Sequence, residues 1–306
     1  MTEGGASEAS IESVIEARRR DLGGFEVGRV LPWRNRRMVG PFIFFDHIGP
    51  VTLSPGLPKS ADIRPHPHIG LATITYLFAG EMVHRDSLGC TQVIRPGEVN
   101  WMTAGRGISH SERFETMRER GGFLHGIQAW VALPDEHEET APSFAHFDGP
   151  QLPRGELDGV RFTVIAGSVL GLTSPVQTLS PLAYAHFEIP RGARIEIPCK
   201  HRERAVFIAK GSVAIDGALH EVGKMPVFAP GATLSLAAPE DSTVMLLAGQ
   251  PLGERHIWWN FVSSRRERIE QAKADWRAGR IELPVDDRDE FIPLPEEPEP
   301  KPEPLS

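Results

Sequence analysis

Two short clusters carry the residue types that can do chemistry, Pro65-His66-Pro67-His68 and His110-Ser111-Glu112. Both sit in segments that read as β-strands, where alternate side chains share a face. His66 and His68 therefore point the same way, and so do His110 and Glu112. If two such strands line one barrel wall, three imidazoles and a carboxylate converge without special backbone geometry. That donor set suits a divalent ion such as iron, zinc, copper, nickel or manganese. The competing interpretation is a hydrogen-bonded polar network without metal, the ordinary fate of an isolated histidine. Two pairs with one-residue spacing, each bounded by turn and apolar strand residues, favour ligation. Neither cluster contains cysteine, which disfavours a structural zinc–thiolate site.

The elements that must position these donors are short strands. Residues 42–46, 73–78, 92–94, 99–102 and 127–133 are strand-like, with turn signals at Ala79-Gly80, Arg95-Pro96-Gly97 and Ala104-Gly105-Arg106-Gly107 between them. A second strand-rich region spans 160–262 and weakly echoes the first: Tyr76-Leu-Phe-Ala-Gly resembles Val206-Phe-Ile-Ala-Lys-Gly, which suggests a duplicated β-barrel. The chain divides into a tail with a short helix (1–24, the helix over 11–22), a metal-binding domain (25–150), a second domain without metal (151–262) and a C-terminal helix with a Pro/Glu-rich tail (263–306). Ser263-Ser264 would cap that helix and Gly279 would stop it, with Ile269, Ala272 and Trp276 as its packing stripe. The segment from Pro293 onward is expected to be extended and solvated.

Composition bounds the function. Of 306 residues, 40% are apolar and 24% charged, an ordinary globular balance, and the 30 glycines and 27 prolines favour many short strands over long helices. A net charge of −8 argues against a general binder of nucleic acid or anionic membranes. Only Cys90 and Cys199 are present, far apart, which points to a reducing compartment rather than a disulfide framework. There is no signal-peptide pattern and no membrane-length apolar stretch, so a cytoplasmic protein is expected.

Several motifs in order then resemble the pirin family, two-domain members of the cupin superfamily. They are Phe44-Phe-Asp-His-Ile-Gly-Pro50, His66-Pro67-His68, Gly80-Glu-Met-Val-His-Arg-Asp-Ser-Leu-Gly89, Arg95-Pro-Gly97, Trp101 through Glu112, and Leu124-His-Gly-Ile-Gln128. The likeness is strong over the first half and vague over the second. It implies an all-β bicupin, two packed jelly-roll-like β-barrels, with one mononuclear metal held by His66, His68, His110 and Glu112. Iron(II) is the expected ion, with zinc, copper, nickel or manganese as alternatives. Two open coordination positions would remain for water, substrate or O₂. Some pirins resemble quercetin 2,3-dioxygenases, so the resemblance implies a flavonol or other planar aromatic enol as substrate with O₂, and Glu112 as acceptor of the hydroxyl proton. The rival is a redox-responsive regulatory metalloprotein that binds a transcription factor or a metabolic enzyme. His201 and Glu203 in the second domain lack the companions a metal would need. His84, Arg85 and Asp86 read first as a charged hairpin. His125 and Gln128 could orient a ligand or substrate, while Trp101 and Met102 read as packing.

Overall fold

The strand-rich stretches fold into two jelly-roll-like halves in the computed structural model, which describes residues 10–21 and 25–296. Each half faces a large antiparallel sheet with a small one. In the first, the large sheet orders Ser143–Phe147, Val99–Thr103, Leu71–Ala79, Gly122–Ala132, Phe42–Leu53, Glu26–Leu31 and Arg18–Asp21. Its small partner orders Ile63–His68, Ile108–Arg113, Met82–Asp86 and Thr91–Ile94. The second half repeats the plan around Glu203–Lys210, Ser242–Gly249 and Leu182–Ile189, with a four-stranded small sheet of its own.

The two large sheets pack on each other, and this sets the sequence pattern. In Leu71–Ala79, Ile74 and Tyr76 enter the shared core between halves, while Thr75 turns into the first half's interior. Both faces are buried, so the strand reads as nearly continuous rather than alternating. Phe45 meets Phe207 at 5.0 Å and Phe42 meets Tyr184 at 5.4 Å between ring centres, tying the halves together.

The helix expected over residues 11–22 is instead two strands, Ile11–Glu16 and Arg18–Asp21. Ile11, Val14 and Ile15 have helical spacing, but β-branched side chains suit a pleated surface, and the open edge of Lys224–Phe228 takes them as a partner. Ile15 is fully buried in the core between the halves. The next strand pairs with Glu26–Leu31, so the chain's first described segment stitches the large sheet of one half to that of the other. Leu22 lies outside the described residues.

The C-terminal helix runs Arg266–Arg277, with Ile269, Ala272 and Trp276 buried. The serines before it do not cap it through a side-chain bond to its first turn. Ser263 Oγ donates to the buried Glu138 carboxylate at 2.7 Å, and the Ser264 amide donates to the same group at 2.6 Å. The buried Arg255 guanidinium faces that carboxylate at 3.4 Å, an inner charge pair that outcompetes capping for the serines.

Beyond the helix, the chain is fastened down well before Pro293. Asp287 accepts from Ser111 Oγ at 2.6 Å and from Arg113 Nε at 2.7 Å, Glu290 accepts from Arg113 at 3.0 Å, and the Ile292 amide donates to the Pro65 carbonyl at 2.8 Å. This strap crosses the small sheet that carries both histidine clusters. Residues 297–306 of the tail lie outside the described residues.

Candidate metal centre

The histidines meet because their strands are direct neighbours. His110 pairs with His66 in the ladder, and Ile108 pairs with His68, which puts all three imidazoles on one inward face. One ring nitrogen from each of His66, His68 and His110 lies within 4.8 Å of the others, and all three rings are buried. The ladder slips just beyond this point, where Glu112 opposes Ile63. Glu112 is buried in the same cavity, but its carboxylate falls outside the three-nitrogen cluster. It faces Thr75, whose hydroxyl is 3.5 Å from Oε1 and donates more closely, at 2.9 Å, to Gln128.

Hydrogen-bond partners dictate which nitrogen is bare on His66 and on His110. His66 Nδ1 lies 2.9 Å from the Arg64 carbonyl, which can only accept, so the proton sits there and Nε2 is free. On the other side, Asp86 Oδ2 lies 3.0 Å from His84 Nε2, and His84 Nδ1 lies 3.3 Å from His110 Nδ1. Asp86 accepts from His84; a neutral His84 then accepts from His110 Nδ1, which leaves His110 Nε2 bare. His110 Nε2 stands 3.0 Å from His68 Nε2. Two donors at ~2.1 Å from one ion and ~90° apart lie ~3.0 Å from each other, so the observed spacing fits shared coordination. Burial holds His66 down to about 4, against the opposing pull of the Arg64 carbonyl, and holds His68 and His110 well below the ordinary histidine value. Neutral rings with lone pairs converging in a dry pocket are a cation's complement. These residues fit a divalent ion.

His84 and Asp86 thus back a metal-facing imidazole rather than form an exposed hairpin pair. Both are buried, and His84 also stacks on Phe144 with ring centres 4.4 Å apart. Sequence offered a clue in the His84-x-Asp86 spacing, but not that these residues face inward. Asp86 also accepts from the Leu88 and Cys90 amides through Oδ1, at 2.9 and 3.1 Å. In Asp86→Asn the amide oxygen stays on those two donors, which turns its NH₂ towards His84 Nε2. The proton order along the relay reverses and His110 Nε2 becomes protonated. Metal affinity should fall ~10–100-fold, read by chelator competition, with little change in thermal stability.

A cavity of about 350 Å³ adjoins the cluster. Phe44 and Trp130 stack there, with ring centres 3.9 Å apart and planes 13° from parallel. Arg29 lies over Phe44 at 4.6 Å and makes two bonds to Asp46, at 2.9 and 2.8 Å. Burial raises the Glu112 carboxyl to about 7, opposed by Thr75; a nearby cation would draw it back down.

Trp259, Asn260 and Ile292 also line this cavity, from a hairpin turn and the C-terminal strap. Trp259 has φ +51, an unusual conformation for a bulky side chain. No motif marks these three, because only the long return of the chain brings them to the first half. Gln128 faces the cavity as expected, whereas His125 points the other way, towards the second half, with its Nε2 2.8 Å from His47 Nε2. Trp101 and Met102 are core residues. Gly105 has φ +51 and stands so close to the Thr140 carbonyl that a Cβ would come within 2.1 Å. In the second half, Glu203 accepts from the Gly40 amide at 2.6 Å and faces Arg36 at 3.7 Å, a contact between halves.

Residues 24–131 match the profile of the Pirin family, and residues 184–282 match the Pirin C-terminal cupin domain. A pirin-like protein of Caulobacter vibrioides is 59% identical over 94% of this chain and 100% of its own length. Rat pirin is 32% identical, with 89% of each chain covered. A crystal structure of quercetin 2,3-dioxygenase from Acinetobacter baumannii superposes with a TM-score of 0.86 at 34% identity, covering 94% of this chain and 96% of that one. Among the described residues, no helix is long and apolar enough to cross a membrane.

Proposed function

The chain belongs to the pirin family, and from that premise we propose that it is a metal-dependent, ring-cleaving dioxygenase of the quercetin 2,3-dioxygenase type, acting on a flavonol or related planar aromatic enol with O₂. The observation that carries this reading is the buried three-imidazole cluster opening onto a cavity with a stacked aromatic wall and two buried carboxyls, Glu112 and the Arg29-paired Asp46. His66, His68 and His110 hold the ion, iron(II) by preference, with Glu112 as the fourth ligand or the group beside it. When bound, the ion supplies Lewis acidity towards a substrate oxygen and the redox chemistry with O₂.

The chain's own residues do the rest. Phe44 and Trp130 give the cavity an apolar aromatic wall beside which a planar ring system can pack. Glu112, buried in the same cavity as the three imidazoles, takes the enol proton. Thr75 and Gln128 fix where that carboxyl points. Trp259, Asn260 and Ile292 close the cavity against bulk water, which keeps charge interactions inside it strong. The two free cysteines, Cys90 and Cys199, suit the reducing cytoplasm, where we place the protein.

The test is oxygen consumption by protein loaded anaerobically with iron(II) and given quercetin. Metal-dependent uptake, with loss of the flavonol absorbance, is the expected result. One bound iron per chain and no uptake would overturn the enzyme reading in favour of a redox-responsive binding protein.

A further inference from the structure

A cavity of about 1130 Å³, distinct from the metal pocket, is a cleft between the two halves. Its floor is aromatic. Phe78 packs against His125 at 4.6 Å and against His186 at 5.0 Å between ring centres, and Tyr76 contacts His186 through its hydroxyl at 3.0 Å. Phe123, half exposed, stands at the edge of the same cleft. The His186 Nε2 atom is buried with no hydrogen-bond partner. No residue of this floor belongs to the metal pocket.

The rim carries three cations, Arg154, Arg161 and Lys210, and two carboxylates, Glu156 and Glu188, a surplus of one positive charge. Arg161 is matched by Glu188 at 3.2 Å, but Arg154 and Lys210 have no ion-pair partner among the described residues. Both nonetheless act on the floor: the field of Arg154 reaches Tyr76 and His186, and that of Lys210 reaches His125. Aromatic burial plus charge-assisted hydrogen bonding selects a flat ring system bearing a carboxylate.

We infer that the cleft between the halves is a second binding site, separate from the metal centre, for an aromatic carboxylate whose rings lie on Phe78 and Phe123 and whose acid group is held by Arg154 and Lys210. The cavity is large enough for an acid of two or three rings. Two single cations are too few to track a nucleic-acid backbone, so a small molecule is the occupant.

The test is calorimetric titration of the full chain with 2-naphthoate, using neutral 2-naphthamide as the control probe. Naphthoate should bind, and the amide should bind about tenfold more weakly or worse. The double variant Arg154→Ala/Lys210→Ala, altered only at exposed side chains, should lose at least about tenfold in naphthoate affinity. His66→Ala should bind naphthoate as the unaltered chain does. Absence of binding, equal affinity for the amide, or an unchanged double variant would overturn the assignment. So would loss of binding in His66→Ala, since that would place the acid in the metal pocket.

Discussion

With His66→Ala, metal content after dialysis should fall from one ion per chain to near zero, and quercetin-dependent oxygen uptake should drop by more than ~100-fold. Partners that merely orient a ligand are worth ~10–100-fold in metal affinity, so removing a ligand must exceed that range. The alanine leaves two imidazoles beside Glu112, a set short of the three-imidazole cluster that brings the nitrogens together. His66 is also the ring whose coordinating nitrogen is most plainly assigned, because its Nδ1 is committed to the Arg64 carbonyl. Far-UV circular dichroism should be unchanged, since the large sheets do not depend on this side chain. Full turnover by a metal-free His66→Ala chain would exclude the proposed role for the cluster.

Acid should destabilise the fold, in part through the histidines at the contact between the halves. His47, His125 and His186 lie between the large sheets, and burial holds them down to about 3, 4 and 4. The unfolded chain returns them to about 6.5, so below that value it binds more protons than the folded chain. Their contribution is therefore fully present above about pH 6.5 and is lost as pH falls towards 4. By pH 5 the loss is ~2 kcal/mol for one such ring taken singly, against a typical total of ~5–15 kcal/mol. Urea titrations at pH 7.5 and pH 5.0 measure the difference. His186→Phe keeps a ring in place and should reduce the pH-dependent drop by ~2 kcal/mol. An undiminished drop would assign the acid sensitivity to other groups.

The sequence made the three imidazoles legible because strand geometry converts one-residue spacing directly into a shared face. The same rule placed Glu112 with His110, and there the ladder slip beside Pro65 matters: strand parity puts the carboxyl in the right cavity without bringing it into the nitrogen cluster. Periodicity misled at residues 11–16, where Ile11, Val14 and Ile15 satisfy a helical pattern and only a distant strand at 224–228 reveals the alternative. His125 is a different case. It lies in the same strand as the cavity-facing Gln128, but three residues away, and that odd spacing already sets it on the opposite face, so grouping the two as one site overlooked the alternation. Trp259, Asn260 and Ile292 could not be read from local pattern at all, since their role depends on where the chain returns after some two hundred residues.

The stitch made by residues 11–21 bears on how the protein is born. Ile11–Glu16 is synthesised ahead of its partner strand Lys224–Phe228, which follows more than two hundred residues later. At ~5–20 residues per second, the leading segment waits ~10–40 s with an apolar edge exposed. The first half can build most of its sheets in that interval, yet its opening strand stays unpaired until the second half arrives. Loop closure over so long a span is slow, and an unpaired edge invites pairing with another nascent chain. Chaperone demand during synthesis should therefore concentrate on the amino-terminal segment, and crowded polysomes should be where this chain is most prone to exchange strands with its neighbours.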